Sequence, residues 1–600
     1  MKIKKYKGTI DNNIGTKDIV MLVGCGISAS LPTSLPLGKE LTDYILTKSL
    51  GENSVEFLIE KWNKLNNIIK NETNVNIPLM RLELILNCVN QVDEEFKIKN
   101  VLQGFYSFTK IKPNENHFYL SNLFKEGAEI ITANFDCAVE NALGIDYTVV
   151  EDMGVDVTIN QHGKIYHFHG IGGDDKRLGA TISNIKSGFS KEFEMFLDNI
   201  LREKILICVG YSFSDFLDMN VFLKKQENKK YREVIFFQHG DDVDIDLIIK
   251  LEKLFLNFKD VTILYGNTSE FLCDISHSRV IKVNNNEVVD WKSTFENIFC
   301  DSRNKMFYLL KIFNQCGINI SDEMTWLGNN RKEIINKIIT SVPKEIKSQK
   351  YIEDLQDRNK TILSDIVDIA KKSGYQGDNY NFINQIYTNL TAKSGVRFEA
   401  AHMDFKDILN YFDKNDFEKN NVADQYVYAY LRITKEKIAN YICDGCHNEE
   451  LSDLQCLWKI GFKLINFNVK KFTYISFYID ICRRFSFLSS VLKYCEIDDL
   501  ERYEKKQIEI SMEICAMESV VMTYLNSALN ILIYFLGEMD YDKLRYAKHK
   551  IDVAKNCSSL LNDVRIELKV KNYENNINKL INIYEQEKCL NSSILLDFLV

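Results

Sequence analysis

Six short apolar segments within the first 270 residues each end at a cluster of small or polar residues. The segments are Ile19–Val23, Ile130–Ile131, Lys164–Phe168, Ile205–Val209, Val234–Phe237 and Val261–Tyr265. Such continuous apolar runs are typical of the buried strands of a parallel sheet. Ligands bind outside the carboxyl ends of these strands, so residues far apart in sequence meet there. We therefore expect an α/β Rossmann-like fold in the N-terminal half, with one pocket formed by the clusters.

Proline and glycine usage divides the chain into two parts. All five prolines and 21 of the 27 glycines lie at or before residue 343. Beyond that point few helix-breaking residues remain, and apolar residues recur every three or four positions, for example between Ile475 and Leu488, which predicts helices. We expect an α/β domain at 1–285 with a mostly helical insertion at 38–128, followed by an all-helical domain at 286–600.

Composition and charge argue against several classes of protein. A net charge of −9 gives no overall attraction to nucleic acid or to an anionic membrane. The 15 cysteines have no regular spacing, which indicates reduced thiols in a cytoplasm and not a disulfide framework. Met1–Gly15 has no apolar core, so we expect no secretory signal. The apolar stretch Ser519–Gly537 carries several polar side chains, so we interpret it as a buried helix and not as a membrane span.

A glycine-rich loop follows the first strand. Gly24-x-Gly26 opens a loose form of the dinucleotide-binding fingerprint, in which glycines let the backbone approach a pyrophosphate. A dehydrogenase would continue directly into a helix, but Pro32 and Pro36 prevent a regular helix until about Leu37. We therefore expect the loop to lead into an irregular segment that folds over a ligand.

Short motifs at successive strand ends resemble the sirtuin family. They are Gly24-Cys25-Gly26-Ile27-Ser28 with Pro36 downstream, Thr132-x-Asn134-x-Asp136, and His169-Gly170. Each is short, but all occur in the order and approximate spacing of that family, over approximately residues 15–275. Gly210-Tyr211-Ser212-x-x-Asp215 is similar to the version found in bacterial sirtuin-like domains associated with antiphage defence.

Departures from the family argue against chemistry on acylated lysine. Protein-deacylating sirtuins carry a zinc module with two Cys-x-x-Cys pairs after the catalytic histidine, whereas residues 170–207 contain no cysteine. Leu37-Gly38-Lys39 replaces the family's phenylalanine-arginine pair, and Cys25 stands where alanine is usual. We expect no bound metal, and a single helix over Ser183–Lys204 in place of the zinc module.

The resemblance implies NAD+ as the ligand and two catalytic residues. Asn134 would hold a ribose hydroxyl or a water, and His169 would accept a proton from it near neutral pH. Nicotinamide leaves a cationic precursor as a neutral group, so no general acid is needed. The site has to orient the ribose, stabilise an oxocarbenium-like carbon and supply a nucleophile.

The resemblance also implies a set of residues that bind NAD+. Gly24, Gly26 and Ser28 would contact the diphosphate, and Gly266 and Asn267 would lie near the adenosine end. The full set is Gly24, Gly26, Ile27, Ser28, Thr132, Asp136, Gly210, Ser212, Asp215, Gly266 and Asn267.

Other candidate residues have ordinary structural explanations. His167 lies within an apolar run, so we interpret it as a packing residue, while His117 and His162 carry no specific signal. The segment from Cys443 to His447 matches haem-attachment spacing and half a zinc site, but no second close pair of cysteines lies nearby. We interpret that segment as a turn between helices.

These observations favour a cytoplasmic NAD+ glycohydrolase that releases nicotinamide and ADP-ribose. By the same resemblance it would act in antiphage defence by abortive infection, with a phage protein, a nucleotide signal or an operon partner as activator. Family members of this kind commonly form homo-oligomers, and the helical domain is expected to serve in sensing or assembly. Two alternatives stay open: an NAD-dependent protein deacylase or ADP-ribosyltransferase, and a non-catalytic sensor of NAD+ or ADP-ribose.

Overall fold

A computed structural model of the chain contains one sheet of eight strands, all parallel to their neighbours. The strands are β1 (Lys2–Lys5), β2 (Ile19–Val23), β3 (Glu129–Thr132), β4 (Thr148–Val150), β5 (Lys164–His167), β6 (Ile205–Val209), β7 (Tyr231–His239) and β8 (Phe258–Gly266). Each of the six predicted segments lies in a strand, except that Phe168 follows the last residue of β5. The expected Rossmann-like α/β fold is therefore confirmed.

The structure describes most of the chain. The described ranges are 1–8, 15–73, 80–96, 100–144, 148–150, 164–172, 178–185, 189–215, 217–224, 231–278, 290–299, 302–318, 350–372, 399–415, 420–443, 448–535 and 538–587, with a few short pieces between them.

The strand order reverses direction in the middle of the sheet. Across the sheet the order is β1-β8-β7-β6-β2-β3-β5-β4. The chain first builds outward from β2 through β3, and later continues on the opposite side of β2 with β6. This reversal between β2 and β6 is a topological switch point, where a crevice opens outside the carboxyl ends of the strands.

The two edge strands were not predicted from the sequence. In β1 the sequence is Lys-Ile-Lys-Lys, and all four residues are exposed. Lysines are common on edge strands because they discourage pairing with another chain. They also remove the apolar run by which a buried strand is identified.

Helices cover both faces of the sheet. One face carries Lys191–Glu203, Met219–Lys224 and Ile245–Leu254. The other carries Glu115–Lys125, Ala138–Leu143 and Thr268–Ile275. Because side chains alternate along a strand, β2 supplies apolar residues to both cores, and all five of its residues are buried.

The predicted insertion between β2 and β3 is helical. Its helices are Gly38–Leu50, Glu52–Thr73, Leu82–Phe96 and Glu115–Lys125, with a 3-10 helix at Val101–Lys110. Residues 29–37 form no helix, and the next α-helix begins at Gly38, as the prolines predicted. The Leu31–Pro32 peptide bond in this segment is cis.

The prediction of a single helix over Ser183–Lys204 was wrong. The structure has a short helix at Ile182–Ile185 and a second at Lys191–Glu203. Ser190 begins the second helix, because its side chain accepts a hydrogen bond from the backbone N–H of Phe193. Ser190 is therefore the N-cap of a new helix and not an interior residue of a longer one.

The C-terminal part is helical, as predicted. Its helices are Trp291–Ile298, Ser302–Cys316, Lys350–Lys372, Phe405–Lys414, Asp424–Cys443, Asn448–Asn466, Ile475–Leu492, Ile497–Glu513, Met517–Tyr534, Tyr541–Ser558 and Val564–Glu587. Met517–Tyr534 contains most of the apolar stretch noted in the sequence, and its larger apolar side chains are mostly buried. Among the described residues, no helix combines the length and apolar character that a membrane crossing needs. The predicted turn at 444–447 lies outside the described residues.

The chain forms two compact units. The first comprises residues 1–56 and 80–312, and the second comprises 57–79 and 313–600. This division falls later than the predicted boundary at residue 285, because Trp291–Ile298 packs on the first unit. Its Phe295 ring lies 5.5 Å from the Phe105 ring. Residues 284–287 themselves, and His162, lie outside the described residues.

Candidate active site

Four neighbouring strands bring predicted site residues to one edge of the sheet. Gly24 follows β2, Asn134 follows β3, His169 follows β5 and Gly210 follows β6. These strands are adjacent in the order β6-β2-β3-β5. The loops after them therefore surround the switch point, although their residues are far apart in sequence.

The loops after β2 and β6 contact each other through glycines. A Cβ added to Gly24 would lie 2.4 Å from the carbonyl oxygen of Gly210, and one added to Gly26 would lie 2.9 Å from the Cα of Gly210. Gly210 has a φ of +65°, in the left-handed region, and a Cβ there would lie 2.7 Å from the nitrogen of Ile27. Side chains are excluded at these positions because two backbones touch.

The backbone amides of this loop bind the protein itself. Gly24 N–H donates to the carbonyl of Val209 at 3.0 Å, and Gly26 N–H donates to that of Gly210 at 3.0 Å. The N–H of Ile27 donates to the carbonyl of Gly24 at 3.2 Å, and the Ile27 side chain is fully buried. The contact with the loop after β6 therefore explains why residues 24 and 26 are glycines, even without a bound diphosphate.

Ser28 is the centre of a buried hydrogen-bond network. Its hydroxyl donates to Oδ2 of Asp136 at 2.8 Å and accepts from Nδ2 of Asn134 at 3.3 Å. Nε2 of His117 lies 3.1 Å from the same oxygen. All four side chains are buried. Ser28, expected from the resemblance to contact a diphosphate, bonds within the protein and connects the loops after β2 and β3.

The protonation of this network follows from its geometry. Nδ1 of His117 accepts from the backbone N–H of Asn114 at 3.1 Å, so Nε2 carries the proton and donates it to Ser28. Burial lowers the pKa of His117 to about 3, which keeps the ring neutral. Burial raises the pKa of Asp136, against the hydrogen bonds that it accepts from Ala138 N–H and Ser28.

Asn134 is held by three hydrogen bonds. Its backbone N–H donates to Oγ1 of Thr132 at 3.0 Å, its carbonyl lies 3.0 Å from Nδ1 of His167, and its side-chain NH₂ donates to Ser28. The side-chain oxygen Oδ1 is buried and has no hydrogen-bond partner. A buried acceptor left unpaired costs about 1–3 kcal/mol. A ligand hydroxyl or water that donates to this oxygen would remove that cost.

His167 was predicted to be a packing residue, and this interpretation was wrong. Its Nε2 lies 2.6 Å from Oε1 of Glu140, while Nδ1 holds the carbonyl of Asn134. Both side chains of this pair are only 1% exposed. Burial alone would lower the pKa of His167, but Glu140 outweighs it and the pKa is raised. The His167–Glu140 pair thus fixes the backbone carbonyl of Asn134.

His169 forms a second pair with a buried carboxylate. Its Nε2 lies 2.5 Å from Oδ2 of Asp218, a residue that is 1% exposed. Burial alone would lower the pKa of His169, but the Asp218 carboxylate outweighs it and the pKa is raised. The His169 ring lies 4.5 Å from the Phe168 ring and 6.2 Å from the Phe135 ring, measured between centroids. His169 is therefore fixed by one ion pair and two aromatic rings.

The segment after β6 contributes a pair of acidic residues. Tyr211 donates its hydroxyl proton to Oδ2 of Asp215 at 2.8 Å, and Oδ1 accepts from the N–H of Asn220 at 3.0 Å. Burial raises the pKa of Asp215 well above its ordinary value, and the neighbouring carboxyl of Asp218 adds to this. Ser212 is exposed and bonds to Ser214.

Gly266 and Asn267 lie away from this cluster. They follow β8, which β7 and β6 separate from β2. Asn267 begins the helix Thr268–Ile275, because its side chain accepts from the N–H groups of Ser269 and Glu270. This cap accounts for Asn267, and the structure brings neither residue into the hydrogen-bond network of Ser28 and Asn134.

Sequence reasoning missed four residues of the network: Asn114, His117, Glu140 and Asp218. Asn114 donates from Nδ2 to the carbonyl of Ile27 at 2.9 Å, which anchors the glycine loop. Asn114 could have been found, because an asparagine that begins a helix is a recognisable cap. Glu140 and Asp218 carry no such signal, because their partners lie 27 and 49 residues away in sequence.

The arrangement supplies the elements of acid–base chemistry on a bound molecule. Asn134 offers an unpaired acceptor, and His169 offers an imidazole backed by a carboxylate. In the part of the chain that the structure describes, no three His, Cys, Asp or Glu side chains group as metal ligands would.

Part of the chain matches a known protein family. Residues 128–257 match the family model described as SIR2-like domain. The matched range contains Asn134, His167, His169 and Asp218. No curated protein matches the chain. The match supports a sirtuin-like domain in the N-terminal unit, with the NAD-related function of an NAD-dependent class of enzyme.

Proposed function

We propose that this chain is an NAD+ glycohydrolase that cleaves NAD+ to nicotinamide and ADP-ribose, with Asn134 and His169 as its catalytic residues. The observation that carries the proposal is the unpaired Oδ1 of Asn134, a buried acceptor held in place by Thr132, His167 and Ser28. An acceptor fixed in this way is preorganised for a ribose hydroxyl or for the attacking water.

The proposed reaction follows from these two groups. Water, oriented by Asn134, attacks C1′ of the nicotinamide ribose, and a new C–O bond forms. The bond between C1′ and the nicotinamide nitrogen breaks, and its electron pair returns to the pyridine ring, which leaves neutral. The proton released by the water passes to His169, a transfer typically worth ~10²–10⁴-fold in rate.

The other predicted ligand residues divide into two groups. Gly24, Gly26, Ile27 and Ser28 support the walls of the site through backbone contacts and hydrogen bonds. Ser212 is exposed and so free to meet a ligand, as the resemblance implies. The proposal therefore adds Ser212 to the glycine loop that the resemblance assigns to the phosphates.

We further propose a role in the cytoplasm as an effector of antiphage defence. This part rests on the resemblance of Gly210-Tyr211-Ser212-x-x-Asp215 to defence-associated domains. In this role an activator releases the enzyme from an inactive state; the activator is a phage protein, a nucleotide signal or an operon partner. The helical C-terminal part takes part in sensing or in homo-oligomer assembly. Depletion of NAD+ then arrests the infected cell.

The test uses phage-infected cells that express the chain, under conditions in which the chain blocks phage growth. NAD+, nicotinamide and ADP-ribose are measured in these cells by mass spectrometry. Wild type should lose NAD+ and accumulate ADP-ribose and nicotinamide. Asn134→Ala and His169→Ala should each slow NAD+ loss at least ~100-fold, with thermal unfolding close to wild type. Asn257→Ala is a matched control, because Asn257 makes one side-chain hydrogen bond, to Leu223, and precedes β8 at the opposite edge of the sheet.

Each alternative gives a different outcome. Unchanged NAD+ in cells where the chain blocks phage would identify a sensor. An acylated ADP-ribose, or an ADP-ribosylated protein, would identify a deacylase or a transferase. A cyclic product would keep the two catalytic residues but replace water by a nucleophile within the substrate itself.

A further inference from the structure

The start of the 3-10 helix Val101–Lys110 is held by a buried carboxylate of the preceding helix. Asp93 is 1% exposed, and its Oδ2 accepts from the backbone N–H of Val101 at 2.7 Å. Its Oδ1 accepts from the hydroxyl of Tyr308 at 2.6 Å. Tyr308 belongs to the helix Ser302–Cys316 and is also 1% exposed. One carboxylate therefore joins three helical segments within the first unit.

Both oxygens of Asp93 act as acceptors at neutral pH. Burial raises the pKa of Asp93 to about 6, while the hydrogen bonds from Tyr308 and Val101 act in the opposite direction and Glu94 adds to the increase. At pH 7.5 the carboxyl is therefore ionised and has no proton to donate. Hydrogen bonds to an ionised carboxylate are about twice as strong as bonds between neutral groups. The two bonds are thus strong enough to hold the segments in place.

The 3-10 helix that Asp93 holds lies against both loops that carry the proposed catalytic residues. Phe105 is fully buried, and its ring lies 4.9 Å from the ring of Phe135, which directly follows Asn134. Its backbone touches the loop after β5, because a Cβ added to Gly172 would lie 2.1 Å from the carbonyl oxygen of Phe105. Gly172 N–H donates in turn to the carbonyl of Phe135 at 2.9 Å. Phe105 therefore contacts the loops after β3 and β5 together.

The helix that supplies this carboxylate reaches the same region through Asn87. Oδ1 of Asn87 accepts from the hydroxyl of Ser183 at 3.0 Å and from its backbone N–H at 3.3 Å. Gly179, four residues before Ser183, donates its N–H to the carbonyl of His169 at 2.7 Å. The helical insertion therefore contacts the chain around His169 at two places, once through each of its helices.

Resting on the proposed function, we propose that Asp93 is a positioning residue that holds the helical insertion against the loops carrying Asn134 and His169. Its action is indirect, because it bonds to neither catalytic residue. While both of its oxygens are bonded, Phe105 and Asn87 keep their places against the two loops. The loops then keep the geometry that a reacting ribose requires, and small displacements of catalytic groups are costly in rate.

The first test is independent of NAD+. Tyr308→Phe removes the hydroxyl and leaves Oδ1 of Asp93 without the donor of this bond. Hydrogen exchange followed by mass spectrometry on the full chain should then be about tenfold faster or more in peptides that cover Phe135 and residues 178–185. This size is expected because a hydrogen bond to a charged group is lost.

Tyr231→Phe is the matched control. Tyr231 is 0% exposed and donates its hydroxyl to Oδ1 of Asp198 at 3.1 Å, so this variant loses the same kind of bond in the same unit. Tyr231 begins β7 and so lies at the amino ends of the strands, away from the candidate site. The peptides of Phe135 and of residues 178–185 should exchange as in wild type. Equal exchange in Tyr308→Phe and Tyr231→Phe would overturn the proposal.

A second variant leaves the buried carboxylate intact. Asn87→Ala removes only the bonds to Ser183, which is exposed, so the variant should fold normally. Exchange should become faster in residues 178–185 and stay unchanged at Phe135. Unchanged exchange in residues 178–185 would show that the helical insertion does not hold this loop, which contradicts the proposal. This variant decides alone if Tyr308→Phe does not fold.

The last test uses turnover under triggering conditions. Tyr308→Phe should lower kcat for NAD+ cleavage about tenfold, with KM within about threefold, because displaced catalytic groups affect the transition state more than binding. Tyr231→Phe should keep both constants. A purely structural role would leave kcat per folded molecule unchanged in both variants, which contradicts the proposal. Absence of NAD+ cleavage in wild type, with the expected exchange results, would refute the proposed function and leave the support of the two loops by Asp93 standing.

Discussion

The strand ends of the first compact unit and the helices of the second bury polar side chains in different ways. At the strand ends of the first unit the partners are distant in sequence: Ser28 bonds Asp136 across 108 residues, and His169 bonds Asp218 across 49. In the second unit many buried hydroxyls bond the carbonyl one turn earlier in their own helix, as Ser511 does with Gln507. A helix supplies backbone carbonyls that accept hydrogen bonds from its own hydroxyl side chains. A hydrogen-bond network between strand ends, in contrast, exists only once the sheet has formed.

Unpaired buried atoms occur in both units, so they do not mark a site by themselves. In the second unit Oε2 of Glu504, Oε1 of Gln507 and the hydroxyl of Tyr524 have no hydrogen-bond partner. Asn134 differs because its backbone N–H, its carbonyl and its side-chain NH₂ are all bonded to different elements. What identifies the candidate site is an unpaired acceptor that the fold holds rigidly at a switch point.

Buried ion pairs give the largest expected effect on stability. In the second unit Lys550 Nζ lies 2.7 Å from Glu504 Oε1, with side chains 9% and 7% exposed. Lys550→Met should lower the free energy of unfolding by about 3–5 kcal/mol, because it leaves a buried carboxylate unpaired. The double variant K550M/E504L should recover to within about 1 kcal/mol of wild type in urea denaturation.

The pair His167–Glu140 should respond differently to the same treatment. The double variant H167L/E140L should also recover stability, but NAD+ cleavage should fall about tenfold or more, because the carbonyl of Asn134 loses its donor. Equal activity in H167L/E140L and wild type would show that both pairs are merely structural and would remove this difference between the units.

Acidification should destabilise the first unit through His117. Its folded pKa of about 3 lies below the unfolded value of 6.5, so below pH 6.5 the unfolded chain binds a proton that the folded chain does not. The contribution of neutral His117 to the free energy of unfolding is therefore fully present above pH 6.5 and is lost as the pH falls toward 3. Between pH 7.5 and 4.5 the wild type should lose about 3 kcal/mol more than His117→Gln.

Hydrogen exchange followed by mass spectrometry locates this effect. The additional exchange in wild type at pH 4.5 should appear in peptides that cover Ser28 and Asn114–Asn134, while peptides of Ile475–Leu492 should behave alike in both proteins. An acid-sensitive second unit with an unchanged first unit would contradict the assignment to His117.

Glycine substitutions give the smallest effect on stability and separate the units by activity. Gly24→Ala and Gly461→Ala should each cost about 1–3 kcal/mol, because a Cβ would lie 2.4 Å from Gly210 O in the first case and 2.4 Å from the Tyr430 hydroxyl in the second. Only Gly24→Ala should reduce NAD+ cleavage, since it separates the loops after β2 and β6. Gly38→Ala, with open space around the added Cβ, is the neutral control.

Residues with a local signal were predicted and residues with a distant partner were not. The apolar runs identified six strands, and their ends placed Asn134 and His169 on the neighbouring strands β3 and β5. Glu140 lies in a short helix with no unusual spacing, and Asp218 lies outside the motifs that resemble the sirtuin family. Their roles come from histidines that reach them only in the folded sheet.

The sequence by itself determined six of the eight strands, the region from which helices dominate, and the side chains that follow the carboxyl ends of those six strands. These properties depend on apolar periodicity and on the positions of proline and glycine, which act over a few residues. Only the tertiary structure decided that Ser28 bonds Asn134, that His167 supports it, and that Asp218 holds His169. A hydrogen bond depends on distances of a few tenths of an ångström between atoms that the sequence separates widely, and the packing of the sheet sets those distances.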